Sequence, residues 1–427
     1  MREHASNYVL DVLVVDNHST DDSDEVLDEF AVRGVCTIRL AENLGGAGGV
    51  RCFHEYAMQR DYEFVWMLDN DALPSRKFLD RVLQYLGDHP DVGVAGGQVL
   101  SRNDLGRIVE CGAVVTEAGE LRPFLLDKER RPRGEVYDCD YVAFLSTVVR
   151  MTCLRAIGPM DDAYFLHWDD CDFGVRAKRA GWKVVALTSA IVMHPPFSGR
   201  TPPPPVRYYD ERNHLLFLRK NAPNKLSQVV KRKWGYWRYQ AMFGDAADAV
   251  VTQVAIVDGL RGRGGPSPTL YDRATAPEVI AVVPGWSDIE LTDMLRDIPL
   301  HFPSAAAIVL RDADGPLSIP ERWEEVAQKY GDRVAAIVPR GPLTIWHVLP
   351  KRVLVYWNGS FIEIPPELRR PALYGLRTLS EGPGFLRRLC RYAIRETYGR
   401  LLKHAIQRAS ALHPTVAADN ARLTGGI

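Results

Sequence analysis

The sequence predicts an α/β protein: a mixed sheet flanked by helices, then a helical extension, then a small C-terminal α/β region. Three observations predict it. Short β-branched runs alternate with helical patterns from residue 8 to about 220, as layered strand–helix packing requires. From about 207 to 260 the pattern is helical. Between about 270 and 380 the strand–helix alternation returns. A chain of 427 residues leaves room for several domains at roughly 100–200 residues each.

Each element follows from local composition. In the first zone, Val9–Val15, Cys36–Leu40, Phe64–Leu68, Val92–Val99, Tyr141–Val149 and Val184–Val192 read as strands. Thr201-Pro-Pro-Pro-Pro-Val206 is expected to be an extended connector, because prolines donate no backbone hydrogen bond. Arg261-Gly-Arg-Gly-Gly-Pro-Ser-Pro268 reads as a linker. Beyond it, Val279–Val283, Ala305–Leu310, Arg333–Val338 and Val353–Trp357 read as strands, with Glu290–Arg296 and Glu321–Tyr330 as helices. Phe385–Ser410 is predicted to be a basic amphipathic helix.

Composition excludes several classes. Hydrophobic residues are 46% and charged residues 25% of the chain, which rules out wholesale disorder. The 53 basic and 54 acidic residues nearly cancel, so the chain is not expected to bind nucleic acid. Seven scattered cysteines without a C-x-x-C read as reduced thiols, not as a disulfide framework or a zinc site. No apolar run is long enough to span a bilayer, and Met1–Val9 has no apolar signal region. A cytoplasmic protein is expected.

Five motifs carry candidate chemistry. Asp69-Asn70-Asp71 follows the apolar run Phe64–Leu68, so a strand delivers two carboxylates to the sheet end where α/β proteins bind ligands. Hard oxygen donors at that spacing suit Mn2+ or Mg2+, although an Asx-rich turn explains the tripeptide equally well. Asp16-Asn17 ends the first run in the same way, and Ser19 or Thr20 offers an N-cap to the helix that follows. Asn43-Leu-Gly-Gly-Ala-Gly-Gly49 opens a helix. Its glycines permit close approach of a ligand to backbone amides, or simply a flexible turn.

The fourth motif is His167-Trp168-Asp169-Asp170-Cys-Asp172-Phe173 at the start of a helix. An Asp172–Arg176 pair and favourable helix-dipole charge account for Asp172. They leave Trp168 and the two adjacent acids unexplained. A carboxylate at a helix N-terminus is expected to stay ionised and so to serve as a general base, with Trp168 stacking on a sugar. The fifth is His194, at the end of the run Val184–Val192, positioned to complete a metal site with Asp69 and Asp71.

In this order, V-V-D-N-x-S, N-x-G-G-x-G-G, D-x-D, W-D-D-x-D-F and a later His resemble the family 2 glycosyltransferases of GT-A fold, over about residues 8–220. The Trp-Asp-Asp with a following His is most similar to bacterial galactofuranosyl- and rhamnosyl-transferases. The resemblance implies a Rossmann-like nucleotide-diphospho-sugar transferase domain over residues 1–220. It makes Asp69, Asp71 and His194 ligands of Mn2+ or Mg2+, and Asp170 the catalytic base assisted by Asp169. Trp168, Asp169 and His167 then hold the acceptor, and Asp16, Asn17, Asn43 and Asn70 the donor. The implied partners are a nucleotide-sugar donor and a growing cell-wall or capsular glycan, of the kind carried on polyprenyl diphosphate. The rival expectations are a family member using UDP-glucose or UDP-galactose, and a non-catalytic glycan- or nucleotide-binding relic.

One departure stands out. The family pattern opens with a further strand, of the form V-x-V-I-x-P-T-Y-N-R, and a helix. Here Met1 lies just before the strand at Val9, which reads as a start assigned too late. Loss of an internal strand is expected to leave strand edges open. Residues 221–265 are expected to be a helical extension near a membrane, since Lys231–Tyr239 mixes basic and aromatic residues. With the basic helix in 381–427 it suggests peripheral contact at the inner face of the plasma membrane. Residues 266–380 form a small α/β region without an assigned role; its Asp312-Ala-Asp314 reads as a turn.

Overall fold

The computed structural model describes residues 8–124, 136–195, 203–243, 245–269, 277–282, 286–309, 326, 329–330, 333–338, 352–357 and 360–364. The predicted helix Phe385–Ser410, the tail and Asp312–Asp314 lie outside the described residues, as does most of Glu321–Tyr330. Contacts divide the chain into two compact units. One comprises Met1–Thr201, Asn213–Leu226 and Gly262–Pro266, the other Pro202–Arg212, Ser227–Arg261 and Ser267–Ile427.

In chain order the first unit forms β1 (Val12–Asp16), α1 (Ser23–Ala31), β2 (Val35–Arg39), α2 (Gly45–Met58) and β3 (Phe64–Leu68). There follow β4 (Leu73–Pro74), α3 (Phe78–Asp88), β5 (Val92–Ser101), β6 (Ile108–Glu110), β7 (Ala113–Val115), β8 (Leu121–Pro123) and β9 (Val136–Asp138). Then come β10 (Ser146–Arg150), α4 (Met151–Ile157), α5 (Asp169–Arg179), β11 (Lys183–His194) and α6 (Pro204–Asn221), the last of which contributes residues to both units.

The main sheet has seven strands. Its path is β3-β10-β5-β11-β4, with β6 paired to β5 and β9 to β11. β5 and β11 run parallel, while β10 is antiparallel to both β3 and β5, so the sheet is mixed as expected. β5 is buried along its whole length, which is why it reads as an apolar and glycine run broken within it only by Gln98, and not as an alternation. Phe78, Leu79, Val82 and Leu86 of α3 pack on one face against Ala95, Val99, Val148, Val185 and Val192. Full burial of each large side chain there is worth about 1.5–3 kcal/mol.

β1 and β2 stand apart. They pair in parallel with each other, from Val12↔Val35 to Asp16↔Arg39, and among the described residues no strand pairs with the other edge of β1 or with the second edge of β3. α1, which packs beside β2, has no buried residue, and Phe30 is 43% exposed.

Two local expectations are corrected. Ser19 does not cap α1: its N–H and Oγ donate to Asp16 Oδ1 at 3.0 and 2.5 Å, and α1 starts four residues later at Ser23. The Asp16 carboxylate holds Ser19 in a local side-chain turn, away from the helix N–H groups that a capping oxygen would accept from. The proline run is also not wholly extended. Pro204 and Pro205 form the first turn of α6, where the missing N–H has no helical partner to lose and the fixed φ suits a helix.

The second unit contains α7 (Leu226–Phe243), α8 (Ala246–Arg261), β12 (Val279–Val282), α9 (Asp288–His301), β13 (Ala306–Val309), β14 (Val334–Val338), β15 (Val353–Trp357) and β16 (Ser360–Glu363). Its sheet runs β13-β12-β14-β15-β16, parallel except for the last pair. Ser287 and Glu290 form a capping box at the start of α9, and Met294, Ile298 and Phe302 cover the sheet. Along Lys231–Tyr239 the basic and aromatic groups divide. Lys233 pairs with Glu211, Trp237 is 3% exposed and Tyr236 donates to Asp248 at 2.6 Å. Lys231, Arg232, Arg238 and Tyr239 remain exposed. No helix among the described residues is long and apolar enough to cross a membrane.

Candidate active site

Strand ends bring the site together. β3 ends at Leu68, and the turn Asp69–Ala72 closes with Ala72 N–H on the Asp69 carbonyl at 3.2 Å. β4 then pairs with the end of β11 in the register Val192↔Pro74 and Met193↔Leu73. That pairing pins Asp71 beside His194. The ligand atoms of Asp69, Asp71 and His194 lie within 4.8 Å of one another, which joins three of the residues expected at a metal.

The donor chemistry of this trio suits a divalent cation. His194 Nδ1 lies 2.7 Å from the Pro195 carbonyl, which can only accept, so in the neutral ring Nδ1 carries the proton. Nε2 then turns its lone pair to Asp71 Oδ1 at 3.3 Å. A backbone-oriented imidazole facing two carboxylates is a common arrangement around a metal. The Asp69 carboxyl is raised by burial and by Asp71, while His194 opposes the rise. A cation would relieve that crowding of negative charge.

The second cluster opens α5. Phe165, His167 and Trp168 all have positive φ, at 64°, 66° and 68°. Left-handed backbone costs non-glycine residues about 1–3 kcal/mol each, so the surroundings must impose it. Two supports are local. Gly45, itself at φ 72°, lies so close that a Cβ there would sit 2.2 Å from the Phe165 carbonyl oxygen. The Ala47 N–H donates to that same oxygen at 3.1 Å. At Gly45 the glycine-rich motif thus admits the acidic loop of its own chain, where the sequence left open a ligand's approach or a flexible turn. Asn17 and Asn43 serve the same turn: Asn17 bridges Leu44 N–H and the Gly45 carbonyl at 2.8 and 2.9 Å, and Asn43 accepts from Gly45 N–H at 2.8 Å.

Asp172 is fully buried and anchors α5. It accepts from Tyr164 at 3.2 Å, Arg176 at 2.9 Å, Lys220 at 3.0 Å and Asn221 at 3.1 Å. The expected Asp172–Arg176 pair is one of these four. Trp168 stacks on His214, with centroids 4.4 Å apart and planes 8° apart, and tilts against Phe217. One face of the indole is therefore covered by protein.

The state of the acid pair differs from the expectation. Burial pushes the Asp170 carboxyl well above the ordinary carboxylate range, and Asp169 and then Glu110 add to the rise. Asp170 accepts the Cys171 N–H at 2.8 Å, yet this and the helix terminus do not outweigh desolvation and like charge. Asp169 is raised too, chiefly by burial, with Asp69 contributing, which ties the acid pair to the metal-ligand trio. Asn70 lies in the turn between Asp69 and Asp71.

Three residues near this site carry no motif. Glu110, at the end of β6, accepts the Ala143 N–H at 3.1 Å, and burial pushes its carboxyl up to about 7. Its one signal is an acid in the otherwise apolar run Ile108–Val115. Asn213 and His214 are buried polar residues of α6, marked only by their place before the apolar Leu215–Leu218.

Mixed α/β sheets that gather side chains able to hold a hard cation at their strand ends form a class of ligand-binding folds. Within that class, the chain belongs to the glycosyltransferase 2 family: the family model described as "Glycosyltransferase like family 2" matches residues 3–233.

Two relatives are galactofuranosyltransferases GlfT2. The protein of Mycolicibacterium smegmatis is 24% identical over 183 residues, covering 38% of this chain and 28% of that one. The protein of Mycobacterium tuberculosis is 24% identical over 210 residues, covering 44% and 32%. The chain thus spans about a third of the length of these relatives. Among solved structures, GalNAc-T7 with UDP, GalNAc and Mn2+ aligns at a TM-score of 0.40 and 10% identity, covering 50% of this chain and 42% of that one. S. aureus TarS 1-349 aligns at 0.35 and 14%, covering 59% and 72%.

Proposed function

We propose that the chain is a metal-dependent, inverting glycosyltransferase. It moves galactofuranose or rhamnose from a nucleotide diphosphate donor to a growing cell-wall or capsular glycan. The observation that carries the reading is the Asp69–Asp71–His194 cluster, whose ligand atoms lie within 4.8 Å of one another. A cation held by the three ligands, Mn2+ or Mg2+, would neutralise charge on the departing diphosphate. Imidazole among the ligands favours Mn2+.

The protein's own groups do the rest. Asp170 takes the proton of the acceptor hydroxyl as its oxygen bonds to the anomeric carbon. The bond from that carbon to the diphosphate breaks with its electron pair on the phosphate oxygen, and the anomeric configuration inverts. A raised carboxyl makes Asp170 a stronger base once ionised. Trp168, His167 and Asp169 orient the acceptor, and Asp16 and Asn70 face the donor. Asn17 and Asn43 act one step back, by shaping the Leu44–Gly45 turn. A polyprenyl-diphosphate-linked acceptor and peripheral membrane contact complete the proposal, supported by the exposed Lys231, Arg232, Arg238 and Tyr239.

The test is donor turnover. The chain with Mn2+ is offered UDP-galactofuranose, dTDP-rhamnose, UDP-galactose and UDP-glucose with a lipid-linked glycan, and release of nucleotide diphosphate is followed. Expected is release from one of the first two, with Asp170→Asn and Asp71→Ala each slower by at least about 100-fold. Release from UDP-galactose or UDP-glucose alone would move the proposal to those donors. Silence with all four, while UDP still binds, would favour a non-catalytic binding protein.

A further inference from the structure

The strained segment before α5 has a clamp that comes from far along the chain. Asn213, fully buried on α6, donates through Nδ2 to the carbonyls of Tyr164, Leu166 and His167 at 2.8, 2.7 and 2.9 Å. Its two amide protons are shared among three acceptors, and those carbonyls interleave with the three left-handed residues Phe165, His167 and Trp168. The next residue, His214, holds the same segment from its other end. Its Nε2 lies 2.6 Å from the Gly119 carbonyl and must donate, which fixes the ring that stacks on Trp168.

We propose that Asn213 is a positioning residue for the transfer reaction. Its amide sets the path of residues 164–168 and thereby the places of Trp168, Asp169 and Asp170 relative to the acceptor hydroxyl. This inference rests on the reading of Asp170 as the base. In this proposal Asn213 acts through the backbone that carries the base. Only a donor of this size suffices there: an aspartate of the same shape, when ionised, would turn acceptor against acceptor.

The experiment compares wild type, Asn213→Ala and Asn213→Asp in three measurements. The first is transfer kinetics with the donor that wild type uses. Expected is a fall of about 100-fold in kcat or a matching rise in acceptor KM, the scale of loss when a reacting group is displaced by about 1 Å. The second is binding of UDP and dTDP with Mn2+, expected to stay within about threefold of wild type because it reads the Asp69–Asp71–His194 side. The third is the near-ultraviolet circular dichroism of the Trp168–His214 stack, isolated by difference against Trp168→Phe, and expected to change in both variants. A distinguishing sign is pH. Asn213→Asp should regain transfer relative to Asn213→Ala as the pH is lowered, because a protonated carboxyl restores one donor.

Wild-type turnover and an unchanged Trp168 signal in both variants would overturn the inference. So would parallel loss of transfer, nucleotide binding and thermal stability, which would mark Asn213 as a general fold element. A wild type that transfers nothing sinks the functional reading instead. In that case the Trp168 signal alone decides whether Asn213 sets the loop.

Discussion

Glu110 raises Asp170, so a residue with no recognised motif helps govern the pH response of the proposed base. Transfer requires Asp170 ionised, and the acid limb of kcat/KM should therefore fall at a higher pH than that of an ordinary aspartate, near 3.9. Glu110→Gln removes one of the like charges and should shift the limb to lower pH. Identical limbs in the two proteins would dissociate Glu110 from the base. Stability gives a second readout. The folded Glu110 titrates at about 7, above its unfolded value, so the native state binds the extra proton between those two pH values. The group's favourable contribution is complete below the unfolded value and disappears as pH rises through about 7. The melting temperature of wild type relative to Glu110→Gln should accordingly drop between about pH 4.5 and 7.5. Differential scanning fluorimetry across that range checks the sign.

Elements were read from the sequence more surely than the contacts between them. Phe64–Leu68 and Val353–Trp357 form strands with the predicted ends, because each is a compact apolar run with polar punctuation. Ser19 and the proline run misled for a shared reason: a local preference allows two uses, and the neighbour that decides between them lies elsewhere. The glycine-rich turn shows this most plainly. Composition said that something approaches closely, but nothing in residues 43–49 says that it is Phe165. Gly45→Ala should cost at least about 2 kcal/mol, from left-handed φ plus a clash with backbone. Gly49→Ala, with nothing within 4 Å of the added carbon, should be neutral or stabilise α2 by up to about 1 kcal/mol. Urea unfolding of the two variants checks the contrast; equal losses would mean that the Phe165 contact does not constrain the turn.

For the molecule as a whole, the D-x-D and His194 stand out in the sequence because strand ends deliver them, and the acid pair because it opens α5 beside a tryptophan in a short, chemically distinctive stretch. Asn213, His214 and Glu110 do not, since each gains meaning only from partners far off in sequence: the loop before α5 for Asn213, Gly119 and Trp168 for His214, Ala143 and Asp170 for Glu110. The cysteines show the same division between composition and burial. Reduced thiols were expected, and the six described cysteines are free. Cys111, Cys139, Cys153 and Cys171 are buried, and burial raises the last three out of the reactive range. A thiol reagent with peptide mapping should modify Cys36 within minutes and those four only on unfolding; early labelling of Cys171 would mean that the base of α5 opens readily.

The separation of β1 and β2 from the seven-stranded sheet also bears on how the native protein breathes. A strand in the middle of a sheet locks its amide protons on both sides; among the described residues β1 pairs on one side alone, with β2. In deuterium, alternate amides along Val12–Asp16 should exchange at nearly solvent rates while the rest of β1 and β2 exchange together. That pair, with α1 between them in the chain, then forms an opening unit of lower free energy than β5, buried along its length, and its partner β11, which is mostly buried. If the nucleotide binds against Asp16, its arrival should slow exchange across this unit more than anywhere in the main sheet. Ligand occupancy could then be followed without any turnover at all.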